Sequence, residues 1–347
     1  MTKIKLLFIT RLYLPHIGGV EKHTSRVAEL LENKYGRKFA VTVVTERYDQ
    51  NLAKREQINN VDVWRITLPN GKTNKFFIWW WVKRHFWLFF TADIIQIHDV
   101  FFWILPLYPL LWLLRKKIYI TFHGYEAPGP ITWRQKFWHR LAAFCCRGNV
   151  CVGNFHAIVY GVKPSVITYG AVDEVKPQVK QRQIAFVGRL EEDTGIMAYL
   201  VALSVVLNSQ AQRGGFRIHL DVFGDGALRK ECEGYVSKNK LDVRFWGFVE
   251  NATEWFGRYQ IIFASQYLSM LEAMSQGCTV ISFAGTEIKK VYLSSAKFAE
   301  WITITHSAVE IADALLNPKM MNKHGSGWAK KQTWEKLVSE YRELWKV

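Results

Sequence analysis

Two short stretches place imidazoles and carboxylates just after β-rich runs. HDVFF carries His98 and Asp99, and FHGYE carries His123 and Glu126. At strand ends such groups can hydrogen-bond a substrate or hold a proton. The plainer alternative is a His that only completes a buried hydrogen bond, and it is preferred for His98. His123 precedes Gly124, where the chain is narrow enough for the imidazole to face a ligand. Other positions suit anions. Gly18 and Gly19 precede a helical stretch, so backbone N–H groups there can approach a negative charge. Arg189, at the end of FVGRL, suits a diphosphate by bidentate pairing, although a surface Arg looks the same in sequence. In SQYLSMLEAM a helix starts near Leu268 and Ser269, whose free N–H groups can receive a phosphate. Glu272, one turn later, can accept two hydrogen bonds from ribose hydroxyls, or can be a surface Glu favoured by the helix dipole. Gly224, Asp225 and Gly226, in VFGDG, form a tight turn that can border a base.

These residues need a scaffold that brings strand ends and helix starts together. KIKLLFIT (3–10), FAVTVVT (39–45), VDVWRIT (61–67), DIIQIH (93–98), KIYITFH (117–123) and NVCVG (149–153) read as strands, and SRVAELLENKYG (25–36) reads as a helix ending at Gly36. The pattern repeats in 183–190, 216–224, 243–247, 260–265 and 279–283, with helices expected over 196–208, 227–239 and 268–276. Alternation of this kind implies parallel sheets with crossover helices. A polar stretch at 172–183 separates two doubly wound domains, and ligands in such folds bind at the carboxyl ends of the strands. There is no GxGxxG and no Walker loop, so neither a dinucleotide site nor an ATPase is supported.

The composition narrows the class. The chain has 347 residues with 49% hydrophobic and 22% charged, which allows a packed core and excludes general disorder. Its formal net charge is +16, and the charge is uneven. Residues 1–178 hold 25 basic and 12 acidic side chains, against 21 and 18 in the remainder. That invites an anionic partner. Five Cys without CxxC spacing support neither a disulfide framework nor a zinc site, and reduced thiols in the cytosol are expected. The N-terminal apolar run is too short for a signal peptide and reads as a strand. The segments 76–90 and 100–114 are aromatic and apolar, but neither reaches the ~20 residues of a spanning helix. Burial is expected for 100–114. For 76–90, burial and an interfacial element are equally expected, the latter with Trp79, Trp80, Trp81, Lys83 and Arg84 at the membrane surface.

Taken in order, LYLPHIGGVEKHTSRVAELL, TFHG, ITYGAVDEVKP, VGRL, VFGDG and LEAMSQGCTVIS resemble glycosyltransferase family 4, the group 1 enzymes. The resemblance implies the α/β GT-B fold: two Rossmann-like domains facing a cleft, here 1–175 on the acceptor side and 176–328 on the donor side. It also implies that a terminal helix within 329–347 crosses back to the first domain. It implies a retaining transfer from a nucleotide-sugar donor to a glycan or lipid-linked acceptor, with no bound metal and no cofactor. By position, Gly18 and Gly19 match glycines near the donor phosphates, and His123 matches the histidine near the reacting sugar carbon. Arg189 matches the Arg of an Arg/Lys pair on the diphosphate. Glu272 matches the second Glu of a paired-glutamate motif that binds the ribose.

Two departures stand out. Where the family has the Lys of that pair, this chain has Thr194, preceded by Glu191, Glu192 and Asp193, which are expected to face solvent. Before Glu272, roughly four residues of the family pattern are absent, including the first Glu; Ala264 stands eight positions before Glu272. Three readings follow: a short-loop transferase, which the surviving residues favour; a transferase with another donor; or a non-catalytic binder of nucleotide or glycan. A nucleic-acid-binding protein is a weaker rival, because the basic residues are scattered over many elements. The basic, Trp-rich first half instead suggests a cytoplasmic protein at the inner face of an anionic membrane.

Overall fold

Leu6, Leu7, Phe8 and Ile9 are consecutive and all buried. A strand covered on both faces is what the centre of a parallel sheet needs. In the computed structural model of the chain this run is β1 (Ile4–Ile9), with parallel neighbours on both sides. The structure describes residues 3–69, 74–124, 129–180, 182–210, 218–250 and 252–347. They form two units, one of residues up to 124, 131–168 and 334–347, the other of 129–130 and 169–333. The chain thus passes between units at 168/169 and 333/334, where the sequence suggested 175/176 and 328/329. The reason is local: Val172 already pairs with Thr333 and donates to the Gln332 carbonyl inside the second unit.

In the first unit, β1 is followed by β2 (Phe39–Arg47), β3 (Arg55–Ile58), β4 (Val61–Thr67), β5 (Ile94–His98), β6 (Lys117–Phe122), β7 (Gly148–Val152) and β8 (Val166–Thr168), in the order β3-β4-β2-β1-β5-β6-β7-β8. All pairings are parallel except β3 with β4. That hairpin turns at Asn59 and Asn60, with φ of 51° and 71°, the left-handed pair that a two-residue hairpin favours. The helices are α1 (Gly19–Asn33), α2 (Lys75–Arg84), α3 (Phe86–Thr91), α4 (Tyr108–Leu113), α5 (Trp133–Cys145) and α6 (Phe155–Tyr160). On α1, Thr24, Val27, Ala28 and Leu31 fall on one buried face.

The two aromatic segments differ from expectation. The 76–90 stretch breaks at His85, whose ring stacks on Trp81 at 4.0 Å between centroids. The helix α2 buries Ile78, Trp81 and Val82, one face at i, i+3 and i+4. In 100–114 burial is partial; Phe101, Trp103, Ile104, Leu107 and Leu111 turn inward, while Leu110, Trp112, Leu113 and Leu114 are exposed. After Pro106 a new helix starts, with Leu111 on its buried side and Leu110, Trp112 and Leu113 outward. Among the described residues no helix is long and apolar enough to cross a membrane.

The second unit holds β9 (Arg182–Val187), β10 (Leu220–Phe223), β11 (Val243–Gly247), β12 (Tyr259–Ala264), β13 (Thr279–Phe283) and β14 (Thr303–Thr305), all parallel, in the order β11-β10-β9-β12-β13-β14. Its helices are α7 (Ile196–Gln210), α8 (Arg229–Lys238), α9 (Tyr267–Ser275), α10 (Glu287–Ser294), α11 (Ala308–Leu316) and α12 (Lys323–Lys330). The apolar α7 packs its Tyr199, Leu200, Leu203 and Val206 into a core shared with Phe186, Val222, Phe263 and Ile311. Each unit is therefore a Rossmann-like α/β domain.

The last helix, α13 (Trp334–Trp345), belongs to the first unit. Trp334, Leu337, Val338, Tyr341 and Trp345 are buried at helical spacing. Trp345 Nε1 donates to Gln96 Oε1 at 3.0 Å, and Tyr341 Oη lies 2.7 Å from Thr121 Oγ1 and 2.9 Å from His23 Nε2. These bonds tie the helix to β5, β6 and α1.

Candidate functional site

In the first unit the chemistry gathers at the end of β6. His123 is 9% exposed, and its Nε2 lies 2.9 Å from Nδ1 of the fully buried His98. Its backbone N–H donates to Asp99 Oδ1 at 3.1 Å. Asp99 adopts a φ of 62°, which turns the chain sharply after β5. His23 on α1 meets the His123 ring edge-on at 4.8 Å. Burial, then the neighbouring rings of His23 and His98, push His123 well below the ordinary imidazole range, so it is neutral. His98, assigned by sequence to a structural role, is thus the direct partner of the best catalytic candidate. Glu126 lies outside the described residues.

His123, Asp99 and Gly124 line a cavity of about 630 Å³, whose walls include Val20, Trp79, Phe101, Phe102, Leu105 and Trp138. An apolar cavity with a few polar groups at one edge is the usual form of a small-molecule site. At the start of α1, a Cβ on Gly18 would collide with the Glu21 carboxylate, which folds back over the helix end. Gly19 faces open space. Burial raises the Glu21 carboxyl above its ordinary value. An incoming anion would share this helix end with an internal carboxylate.

The outward positions expected on α2 divide. Trp80, Lys83 and Arg84 are exposed, with the Arg84 guanidinium over the Trp80 ring. Trp81 is buried, and Trp79 is half-buried with its Nε1 donating to the Phe102 carbonyl at 2.8 Å. Neither of these two rings is available to a membrane, because the helix turns them toward the sheet and the cavity.

In the second unit, Arg189 follows β9 on a loop laced to the Gly224–Gly226 turn. Leu190 N–H donates to the Asp225 carbonyl, Gly188 N–H to Phe223, and Leu228 N–H to Leu190. A Cβ on Gly224 would strike the Gly188 carbonyl, and one on Gly226 the Leu190 backbone. These glycines therefore have a packing reason: they hold the loop that carries Arg189.

Thr194 is buried at 2% exposure, and its Oγ1 donates to the carbonyls of Arg189 and Glu191. It closes the loop and contributes no charge. Of the three preceding acids, Glu192 is exposed as expected, but Asp193 is not. Its Oδ2 lies 3.1 Å from Arg189, with the Asp193 side chain only 17% exposed. The Arg that suits a diphosphate is already paired with a carboxylate four residues on.

The helix α9 starts after Gln266, which provides no side-chain cap. The first N–H, of Tyr267, donates to Tyr292 Oη at 3.0 Å. Leu268 and Ser269 follow in the first turn, where N–H groups lack acceptors within the helix. Glu272 is buried at 6% exposure, which removes the surface-Glu alternative.

Sequence reasoning missed Lys289. It is 2% exposed on α10, and its ammonium donates to both the carbonyl and, at 2.8 Å, the hydroxyl of Ser265. Burial pulls it down to about 7, with Asp193 opposing that shift and Arg189 adding to it. A signal existed: Ile288, Lys289, Tyr292 and Leu293 share the buried helix face, whereas Lys290 pairs with exposed Glu287. Among the described residues no three His, Cys, Asp or Glu side chains gather as a metal site.

Several solved structures are similar over the full length. A protein of Anabaena, Alr3699/HepE, in complex with UDP and glucose, matches with a TM-score of 0.71 at 13% identity, covering 98% of each chain. A glycosyltransferase from Rickettsia africae matches with 0.67 at 14%, covering 100% of this chain and 98% of that one. The lipopolysaccharide outer core galactosyltransferase WaaB, in its apo form, matches with 0.66 at 13%, covering 98% and 99%. At such identities the likeness speaks for fold, and that fold is GT-B. No curated protein matches the sequence. A family model described as Glycosyltransferase Family 4 matches residues 17–168, and one described as Glycosyl transferases group 1 matches 181–317. Each falls on one of the two Rossmann-like units, and the chain belongs to the family 4, group 1 glycosyltransferases.

Proposed function

We propose that this glycosyltransferase moves a sugar from a nucleotide-sugar donor to a glycan or lipid-linked acceptor, with retention of configuration and without a bound metal. The observation that carries the donor half is in the second unit. A loop bearing Arg189, the start of α9, to which Gln266 gives no side-chain cap, and the buried Glu272 on that helix belong to one sheet edge. Cleavage of the bond between sugar and diphosphate leaves charge on the diphosphate. A guanidinium and helix N-terminal amides are suited to stabilise it. Glu272 suits the ribose hydroxyls. The Anabaena relative in complex with UDP and glucose supports a nucleotide sugar as donor. In the first unit, neutral His123 at the mouth of an apolar cavity suits a hydrogen bond to the reacting sugar or acceptor.

The acceptor reading rests on the surface. Trp80, Trp112 and Trp133, on α2, α4 and α5, are 61%, 69% and 72% exposed. They accompany Lys83, Arg84 and Arg134 in the more basic half of the chain. Aromatic rings beside cations suit the headgroup level of an anionic bilayer. A peripheral position there would bring a membrane-borne acceptor to the protein.

A thermal-shift panel of UDP, GDP and their sugars tests the donor reading. A bound nucleotide at a hundred times its Kd adds about 2.7 kcal/mol of stability. Glu272→Ala and Arg189→Ala should shrink the shift. No shift with any nucleotide at millimolar concentration overturns the reading. The Arg189–Asp193 pair and the shortened chain before α9 favour a second reading, a catalytically weak binder. It predicts the nucleotide shift without turnover of any sugar.

A further inference from the structure

We propose that the cavity beside His123 takes the apolar chain of an anionic amphiphile, so that the acceptor is a lipid with a phosphate-type head group and not a free glycan. The inference rests on the acceptor reading above and names its substrate class. Two helices frame the cavity. Lys75 and Trp79 are one turn apart on α2, and Trp138 and Ala142 are one turn apart on α5, so each helix gives it one face. Phe101, Phe102 and Leu105 add to the wall from the segment between β5 and α4. The volume, about 630 Å³, is in the range that buries most of a small ligand. Rings lead from the surface to this wall. Exposed Phe76 meets Trp79 at 5.9 Å between centroids, and exposed Phe137 meets Trp138 at 5.6 Å. The apolar lining is therefore continuous with the exposed aromatic band of α2 and α5.

The lining favours a hydrocarbon over a sugar, because its polar atoms are largely engaged with the protein itself. Trp79 Nε1 donates to the Phe102 carbonyl, His123 Nε2 pairs with His98, Asp99 Oδ1 accepts the His123 N–H, and His139 Nδ1 lies 3.0 Å from the Gln135 carbonyl. A sugar brings several hydroxyls, each costly to bury without a partner, whereas a methylene chain needs none. Charge selects the head group. Lys75, Lys83 and Arg84 on α2 and Arg134, Lys136 and Arg140 on α5 are all exposed, and neither helix carries an Asp or Glu. Of these cations, Lys75 also lines the cavity. An anionic head at Lys75 leaves its chain among Trp79, Phe102 and Trp138, in a field of one sign that attracts it. His123 lines the same cavity, so a lipid held there lies beside the group proposed to act in transfer.

Alkyl phosphates test this directly. Calorimetric titration of the whole chain with hexyl, octyl and decyl phosphate, each below its micelle concentration, reads affinity against chain length. A single saturable site should tighten about fourfold per added methylene, and millimolar inorganic phosphate should not displace the ligand. Alkyl glucosides of the same lengths should show the same slope at about fivefold lower affinity, and Lys75→Gln should remove that difference. Ala142→Leu puts a larger side chain into the cavity and should flatten the rise at the longer chains. Leu105→Phe does the same from another wall and keeps the test open if the Ala142 variant does not fold. Affinity independent of chain length, or an unchanged rise in both filled variants, overturns the cavity as the chain site. Equal binding of phosphates and glucosides overturns the anionic head. In either case the membrane reading stands or falls separately, on flotation with anionic vesicles. Flat affinity together with no flotation removes both.

Discussion

His98 Nδ1 lies 2.9 Å from His123 Nε2, and the two rings overlap with centroids 5.2 Å apart. Burial keeps both rings neutral; one nitrogen then donates and the other accepts, so the tautomer of each ring is set by the other. His98 orients and His123 faces the cavity. Replacing His123 with Ala should lower sugar transfer by roughly a hundredfold or more, with nucleotide affinity within about twofold of wild type. His98→Phe keeps a ring but no partner nitrogen, and should cost about tenfold. Initial rates paired with nucleotide titrations check both. A His123→Ala enzyme with unchanged rate would remove that residue from the chemistry.

The same burial has a consequence for pH. His23 is lowered to about 4 and His156 to about 3, in each case chiefly by burial, and His98 and His123 move in the same direction. The unfolded chain, with His near 6.5, then binds more protons than the folded one at any pH between those values. Stability must fall as pH drops from about 6.5 toward 4. His23 alone accounts for on the order of 3 kcal/mol over the whole interval. Melting temperatures between pH 7 and pH 5 should show a steep decline, and His23→Gln should flatten it. A flat wild-type profile across that window contradicts the neutral cluster.

Tyr341 offers a cleaner measure of how α13 is held. Its hydroxyl serves both His23 and Thr121, and the ring is fully buried. Tyr341→Phe keeps the ring, takes the partner from buried His23 Nε2 and leaves Thr121 Oγ1 with only its bond from Gln96. The expected cost is about 1–3 kcal/mol, read as a lower urea midpoint with unchanged slope. An unaltered midpoint would mean that packing of Trp334, Leu337 and Trp345 alone holds the helix.

What the sequence disclosed follows from which forces act locally. The apolar run of β1 and the glycine before α1 announce a strand and a helix start without help from the rest of the chain. So does the succession of LEAM, QG and a β-rich run around α9. The hairpin strand Arg55–Ile58 was missed because it is polar and at a sheet edge. Trp79 to Trp81 looked alike in sequence, yet a rotation of about 100° per residue sends them to different surroundings. Their fates were readable once Ile78, Trp81 and Val82 are taken as one helix face. Arg189 and Lys289 differ in kind. Each was assigned its environment by residues far along the chain, or by a carboxylate whose direction no spacing rule specifies.

That carboxylate gives a prediction with an uncommon sign. Asp193 competes with any anion for Arg189, whose side chain is 67% exposed. An exposed pair is worth about 0.2–1 kcal/mol. Asp193→Asn should therefore raise nucleotide affinity, by roughly twofold to fivefold, and the gain should shrink in high salt. Isothermal titration at low and high ionic strength checks this. Weaker binding in the variant would show that Asp193 orients Arg189 for the ligand instead of opposing it.

Neighbouring tryptophans on α2 separate membrane binding from folding. Trp80, Lys83 and Arg84 point outward, while Trp81 is buried against His85. If the aromatic and basic face meets an anionic bilayer, wild-type protein should float with anionic vesicles and much less with neutral ones. Lys83→Gln with Arg84→Gln should remove about 1 kcal/mol per charge, or roughly thirtyfold in binding together, and melting should be unaffected. Trp80→Ser should weaken flotation at unchanged stability. Trp81→Ala should do the reverse: it leaves a cavity costing about 3–5 kcal/mol, with the remaining folded protein still binding vesicles. Equal flotation with both lipids, or none with either, excludes the membrane as the partner of this face. The +13 of the first 178 residues would then call for a soluble anionic acceptor.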